Sequence, residues 1–396
     1  MPKPTSSDVL PIKTPIPSDL EEIMGNITDQ LAKRNKNLYT PIRTGMDQID
    51  ELTGGGIYPG ELRLIGGMQN VGKTALVVQQ LDGIARYGNA LAILVCYEHL
   101  QSELFERLFC QTAYKYFGGE MLTVKMLQDE YIRTVDKGMT ISLEQQQNGD
   151  FGFLSNVLKN VPNGLKTFKK IVDIWHRVWI LTGDGQYTDP ETLQKLIDYG
   201  LTFCDRVVMV VDYLQIVPYY SPHRELSRNE KTAFALEALK SHCMRKANVE
   251  GKFAASICVA SADEEGIRSG RVHMENLSGD PTVQYRPNTA LIMNRDLPDP
   301  DGIPTVRIGL EKNRKGPSDI EFRHRYYGAA YTIDYKGDEL PYEQSWQSER
   351  RGLQEDLKKR EEELELEREE ALLARLERRR GTSIRKNSQK RTFLRR

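Results

Sequence analysis

The chain has no apolar run approaching about 18 residues, so nothing in it reads as a membrane-spanning helix. Its first residues, Met1-Pro2-Lys3-Pro4, lack the apolar core of a secretory signal. Cysteine is scarce. The five residues Cys96, Cys110, Cys204, Cys243 and Cys258 are odd in number, scattered, and never spaced C-x-x-C. That argues against a disulfide framework or a zinc site and for a reducing cytoplasm. Cys96 and Cys258 lie in apolar runs and read as small core residues. Net charge is lacking too: the formal value is −1, so any grip on nucleic acid must come from local basic surface. What is present, 39% hydrophobic and 28% charged residues over 396 positions, suits one large α/β domain with polar appendages, or two domains.

The most informative stretch is Gly66 to Thr74, between the apolar run Leu62–Ile65 and a helical pattern from Ala75 to Tyr87. Gly67, Met68, Gln69, Asn70, Val71, Gly72, Lys73 and Thr74 fit G-x-x-x-x-G-K-[ST]. Glycines let successive backbone N–H groups curl around a polyphosphate, and the helix that begins near Ala75 adds its positive end. Lys73 can reach the β and γ oxygens of ATP, and Thr74 can offer its hydroxyl to a magnesium ion. The alternative is a glycine-rich turn between a strand and a helix with no ligand.

Two further apolar runs end in carboxylates. Leu91–Tyr97 reads as a buried parallel strand and is followed by Glu98, placed to polarise a water against the γ-phosphate. The plainer reading is a surface glutamate that starts a helix. Val207–Val211 ends in Asp212, the pattern of a strand whose aspartate supports magnesium together with Thr74. Ala254–Ala260, Thr289–Met293, Thr305–Leu310 and Ile320–Tyr326 are expected to be strands, and Val178–Leu181 is a weaker candidate. Trp175 and Trp179 are expected in the core. Asp189-Pro190-Glu191 should open a helix, as should Asn229 onward.

Several of these features occur together in one known family. Thr44-Gly45, Leu52-Thr53-Gly54-Gly55 and Pro59-Gly60-Glu61-Leu62 before the phosphate loop, Asp212-Tyr213-Leu214-Gln215 after it, and Lys312-Asn313-Arg314-Lys315-Gly316-Pro317 near the end resemble the motor domain of DnaB-type replicative helicases. The resemblance runs from about Pro41 to Tyr335. It implies a RecA-type α/β core with a mainly parallel sheet flanked by helices, use of ATP and Mg2+, and a homo-oligomeric ring, hexameric by analogy, on single-stranded DNA. It also implies that Lys312 and Arg314 reach a neighbouring subunit's γ-phosphate, with Glu98 as the base. The loop after the strand Ala254–Ala260 would grip DNA through Arg268 and Arg271, which otherwise read as two solvated loop arginines.

The sequence departs from the family at two places. Ala262 stands at the γ-phosphate-sensing position, with Ser261 or Asp263 as substitutes. Ser278 stands where the pore loop has an arginine. Residues 1–40 are too few for the family's N-terminal collar, which suggests a phage or mobile-element helicase working in the host cytoplasm. The departures also suit a RecA-like ATPase that loads or remodels a protein partner.

The flanks are polar. Residues 1–17 are rich in Pro, Ser and Thr and are expected to be disordered. Ser18, with Glu21 three residues on, looks like the cap of a helix to about Lys33. Its stripe Leu20, Ile23, Met24, Ile27 and Leu31 packs either on its own domain or on a neighbour. The motor domain is expected over 41–336, with 18–40 as a linker. Residues 337–396 hold a Glu/Arg/Lys/Leu-rich helix, solvated or coiled, and a basic tail from Arg378 that either holds nucleic acid or keeps the chain soluble. The helix is a candidate surface for a protein partner.

Overall fold

Strand β1 (Leu62–Gly67), buried along its whole length, lies inside a ten-stranded sheet and ends at the phosphate loop. The computed structural model describes residues 18–340 except 119, 139–151, 220–224 and 280. The chain divides into two units, residues 1–340 and 341–396, and the second lies outside the described residues. So do the expected disordered N-terminus, the loop Gln145–Asp150, the charged C-terminal helix and the basic tail.

The remaining strands are β2 (Leu91–Cys96), β3 (Val178–Thr182), β4 (Arg206–Asp212), β5 (Phe253–Ser261), β6 (Thr289–Asp296), β7 (Thr305–Asn313), β8 (Ile320–Tyr327), β9 (Thr332–Ile333) and β10 (Asp338–Leu340). Their order is β10-β8-β7-β6-β1-β5-β4-β2-β3, with β9 paired to β8. From β6 to β3 every pairing is parallel; β7, β8, β9 and β10 add antiparallel pairings. The fold is therefore mixed α/β with a mostly parallel sheet. Because β10 pairs with β8, the sheet continues past the expected boundary at 336 to Leu340.

Helices cover both faces. Lys73–Arg86 and Gln101–Phe117 pack on one side, with Ile65, Val208, Val210, Ile257 and Val259 of the strands facing them. Pro190–Phe203 and Arg228–Glu250 pack on the other, against Leu62, Leu64, Val207, Met209 and Val211. The alternation along β4 is real, yet both faces are apolar because both are covered. Fully burying each such valine is worth about 1.5–3 kcal/mol. Local chemistry sets the helix starts. Asp189 accepts the N–H of Thr192 ahead of Pro190, and Ser227 forms a capping box with Glu230.

Two expectations are corrected. The N-terminal helix runs Leu20–Ala32 and is capped by Asp19, which accepts from Glu22 N–H, not by Ser18. The carboxylate one residue further on is the better-placed acceptor. Trp175 is 39% exposed, in a short 3-10 turn before β3. Strand β3 is the edge of the sheet, so its flank has no second neighbour to cover it. Trp179 is partly buried against Tyr199 and Phe203. Cys96, Cys110, Cys243 and Cys258 are buried free thiols, and Cys204 is half-buried. No described helix is long and apolar enough to cross a membrane.

Candidate nucleotide site

The turn from β1 into the helix Lys73–Arg86 needs glycine at both ends. Gly67 has φ +150°, and a Cβ there would lie 2.4 Å from Met293 O. Gly72 caps the helix in the left-handed region at φ +100°, and Asn70 is left-handed at +57°. The loop thereby aims the helix N-terminus outward, where its unpaired N–H groups and positive dipole end favour an anion. Lys73 is buried, and its Nζ donates to Gly67 O at 2.9 Å and Met68 O at 2.6 Å. Burial pushes its ammonium down to about 8, against the opposing pull of the Asp212 and Glu98 charges.

Sheet pairing brings the two carboxylates to the same place. Cys96, the last residue of β2, pairs with Asp212, the last of β4, so Glu98 emerges just beyond Asp212. Thr74 Oγ1 donates to Asp212 Oδ2 at 2.7 Å. Burial raises the Asp212 carboxyl above the usual carboxylate range, opposed first by the Thr74 hydrogen bond. Glu98 is exposed at the cleft, and its carboxyl is also raised, by desolvation and then by the Asp212 charge.

These groups share one cleft of about 490 Å³. Gln69, Asn70, Gly72, Lys73, Thr74, Ala75, Glu98 and Asp212 line it, whereas Gly67, Met68 and Val71 do not. Val71 is buried in the apolar layer on one face of the sheet, and Met68 packs against the layer on the other. The cleft also contains residues that reading the sequence missed: His99, Arg107, Tyr213, Tyr326 and Tyr331. The Arg107 guanidinium lies 4.2 Å over the Tyr331 ring, and its Nη2 is 3.3 Å from His99 Nδ1. Arg107 carries a faint sequence signal, a cation next to Leu108 on the helix that follows Glu98. The tyrosines carry none, because sheet order alone brings them there.

At the end of β5 the alternation of side chains decides which residue meets the cleft. Ser261 lines it. Ala262 is buried, donates its N–H to Gly67 O at 3.2 Å, and bridges Leu277. Asp263 caps the short helix Glu264–Arg268, accepting from Gly266 N–H. Gln215 then spans the gap between cleft and loop. Its Oε1 accepts from Ser261 N at 3.4 Å, and its Nε2 donates to Ser278 O at 2.9 Å.

No protein-family model matches the chain, and no curated protein matches it in sequence. Solved structures do. An isolated ATPase domain of a DnaB-like helicase superposes with a TM-score of 0.57 at 14% identity, covering 80% of this chain and 98% of that one. A DnaB-like replicative helicase, solved for its interactions with primase, gives 0.56 at 14% identity, covering 80% and 67%. The chain has the DnaB-like helicase ATPase fold.

Within this DnaB-like fold the remaining candidates lie away from the cleft. Lys312 Nζ donates to Gln284 O and Tyr285 O, both at 2.8 Å, and the exposed Arg314 donates to Tyr285 O at 3.0 Å. Neither lines the cleft of its own chain. Desolvation, then the Arg314 charge, lowers the Lys312 ammonium. Arg268 pairs with Glu264 at 3.3 Å on open surface, a contact worth about 0–1 kcal/mol. Arg271 is bidentate on Glu321, with both contacts at 3.2 Å.

Proposed function

We propose that this protein is an ATP-hydrolysing motor that assembles as a ring, with six subunits by analogy, and translocates on single-stranded DNA. The observation that carries the reading is the Thr74–Asp212 hydrogen bond beside Lys73 and Glu98 in one cleft. The residues fit magnesium. Thr74 Oγ1 and the Asp212 carboxylate are hard oxygen donors, and a buried carboxylate held above its usual range gains from a cation. No group of three or more His, Cys, Asp or Glu side chains suited to a metal occurs among the described residues, so phosphate oxygens would complete the coordination. Bound there, magnesium would neutralise charge on the β and γ oxygens.

The chain's own groups divide the remaining work. Loop N–H groups and Lys73 hold the phosphates. Glu98, with its raised carboxyl, accepts a proton from the attacking water. Ser261 faces the γ end, and the Arg107–Tyr331 pair offers a flat surface to the base. Lys312 and Arg314 complete the site of the next subunit, since they are remote from their own cleft. Arg268 and Arg271 are the proposed DNA contacts.

The test is the ATPase rate with and without single-stranded DNA over a salt series. Stimulation that fades as salt rises supports a DNA motor. An unstimulated ATPase overturns that reading in favour of a second one, a ring ATPase that loads or remodels a protein partner. One observation favours the second reading: Arg271 is already engaged by Glu321, which leaves Arg268 as the more available of the two loop arginines.

A further inference from the structure

Glu311 stands on β7 immediately before Lys312, and its carboxylate is occupied on the loop that follows β5. Oε1 lies 2.9 Å from His273 Nδ1, and Oε2 accepts the N–H of Met274 at 2.7 Å. An ionised carboxylate can only accept, so the contact makes Nδ1 the protonated ring nitrogen of His273. The same short segment has two other anchors. Asn294 of β6 pairs with both backbone groups of Val272, at 2.7 and 2.9 Å, and Glu321 of β8 holds Arg271. None of the three anchors lines the nucleotide cleft. Only Glu311 shares a strand end with Lys312 and Arg314.

We propose that Glu311 is a positioning residue that couples the cationic end of β7 to the nucleic-acid loop of the same subunit. Lys312 and Arg314 rest on the carbonyls of Gln284 and Tyr285, contacts that must break if the two cations turn to a neighbour's phosphate. Glu311 is one residue from Lys312 along a stiff extended backbone. A displacement of that strand end is therefore passed to His273 and Met274 through two short, charge-assisted contacts. Loop position and engagement of the neighbour's nucleotide become one event. This inference rests on the DNA-motor reading above.

The experiment uses the full chain and measures steady-state ATPase against single-stranded oligonucleotide concentration, with DNA affinity measured separately in a non-hydrolysable ATP analogue. Wild-type protein is compared with Glu311→Ala and with Glu311→Asp, which keeps the charge but withdraws the carboxylate by one methylene. The expected result is that Glu311→Ala keeps its DNA-free rate and its DNA affinity within about twofold, while maximal stimulation falls by about fivefold or more. Glu311→Asp should show the same loss in smaller measure. A loop that was merely loosened would instead bind DNA more weakly and still reach full stimulation at saturation, which overturns the proposal. Should Glu311→Ala fail to fold, Glu311→Asp decides: full stimulation in that variant also overturns it. An unstimulated wild-type enzyme is a different failure, because it removes the DNA-motor reading itself and the coupling with it.

Discussion

Lys73 shows how one residue sets the electrostatics of the cleft. Its ammonium is held near 8 when the unfolded value is 10.5, so the unfolded chain binds more protons between those limits. The nucleotide-free protein should therefore gain stability as pH rises from about 8 towards 10.5. A phosphate beside Nζ restores the charged form, so ATP binding above about pH 8 takes up a proton and weakens as pH rises. Calorimetric titrations at about pH 8.5 in two buffers of different ionisation heat will measure that uptake. Equal apparent heats would rule it out. Lys73→Ala should abolish hydrolysis with its circular dichroism unchanged; undiminished turnover in a clean preparation would place the site elsewhere. Gly67→Ala is a packing test. Its Cβ would lie 2.4 Å from Met293 O in a left-handed backbone, which should cost about 2 kcal/mol or more, read as a lower melting temperature. Gly25→Ala, with nothing within 4 Å of its Cβ, should stabilise its helix by up to about 1 kcal/mol.

At the scale of elements, the helix Leu20–Ala32 raises the clearest question. Its stripe is uncovered: Leu20, Met24 and Leu31 are 76, 67 and 60% exposed, and no residue of the helix is buried. It is tied to the domain near its end, where Asn35 Nδ2 bonds Gln30 Oε1 and Gly251 O. Apolar surface of this kind gains from a partner. Deleting residues 1–37 should lower the mass of the assembly by light scattering at equal concentration, and identical masses would mean the helix plays no part between subunits. The basic tail from Arg378 can be tested in the same modular way. Removing 378–396 should weaken binding to every DNA alike and reduce the salt slope by roughly one unit per lost phosphate contact. An unchanged slope would leave the tail as a solubility or partner element.

At the scale of the whole molecule, the position of Lys312 and Arg314 matters most. A site whose cations are remote from its own cleft is complete only in an assembly. Lys73→Ala subunits keep Arg314 to donate, and Arg314→Ala subunits keep a sound phosphate loop. Co-assembled from the start with different tags, the two inactive variants should hydrolyse more ATP than the sum of the separate preparations. An arginine supplied in trans can be worth about 10³–10⁵ in rate, so even a minority of complete junctions is detectable. No gain in verified mixed oligomers would confine Arg314 to its own subunit and remove the main support for a ring.

What the sequence by itself determined is what is local. The run Gly67–Thr74 carries its chemistry in consecutive residues, because a phosphate cradle is made of adjacent backbone N–H groups. Asp189 before Pro190 marks a helix start because a cap acts within three residues. Apolar runs ending in Glu98 and Asp212 were legible as strands for the same reason. Only the tertiary structure decided that Ser261, rather than Ala262, faces the cleft. The alternation at the end of β5 has two phases, and choosing between them requires knowing which layer lies on which side. Strand order likewise brought Tyr326 and Tyr331 to Arg107 and gave Arg271 its partner Glu321. Such contacts depend on which strands are neighbours, and with both faces of the sheet apolar no residue pattern along a single strand encodes that.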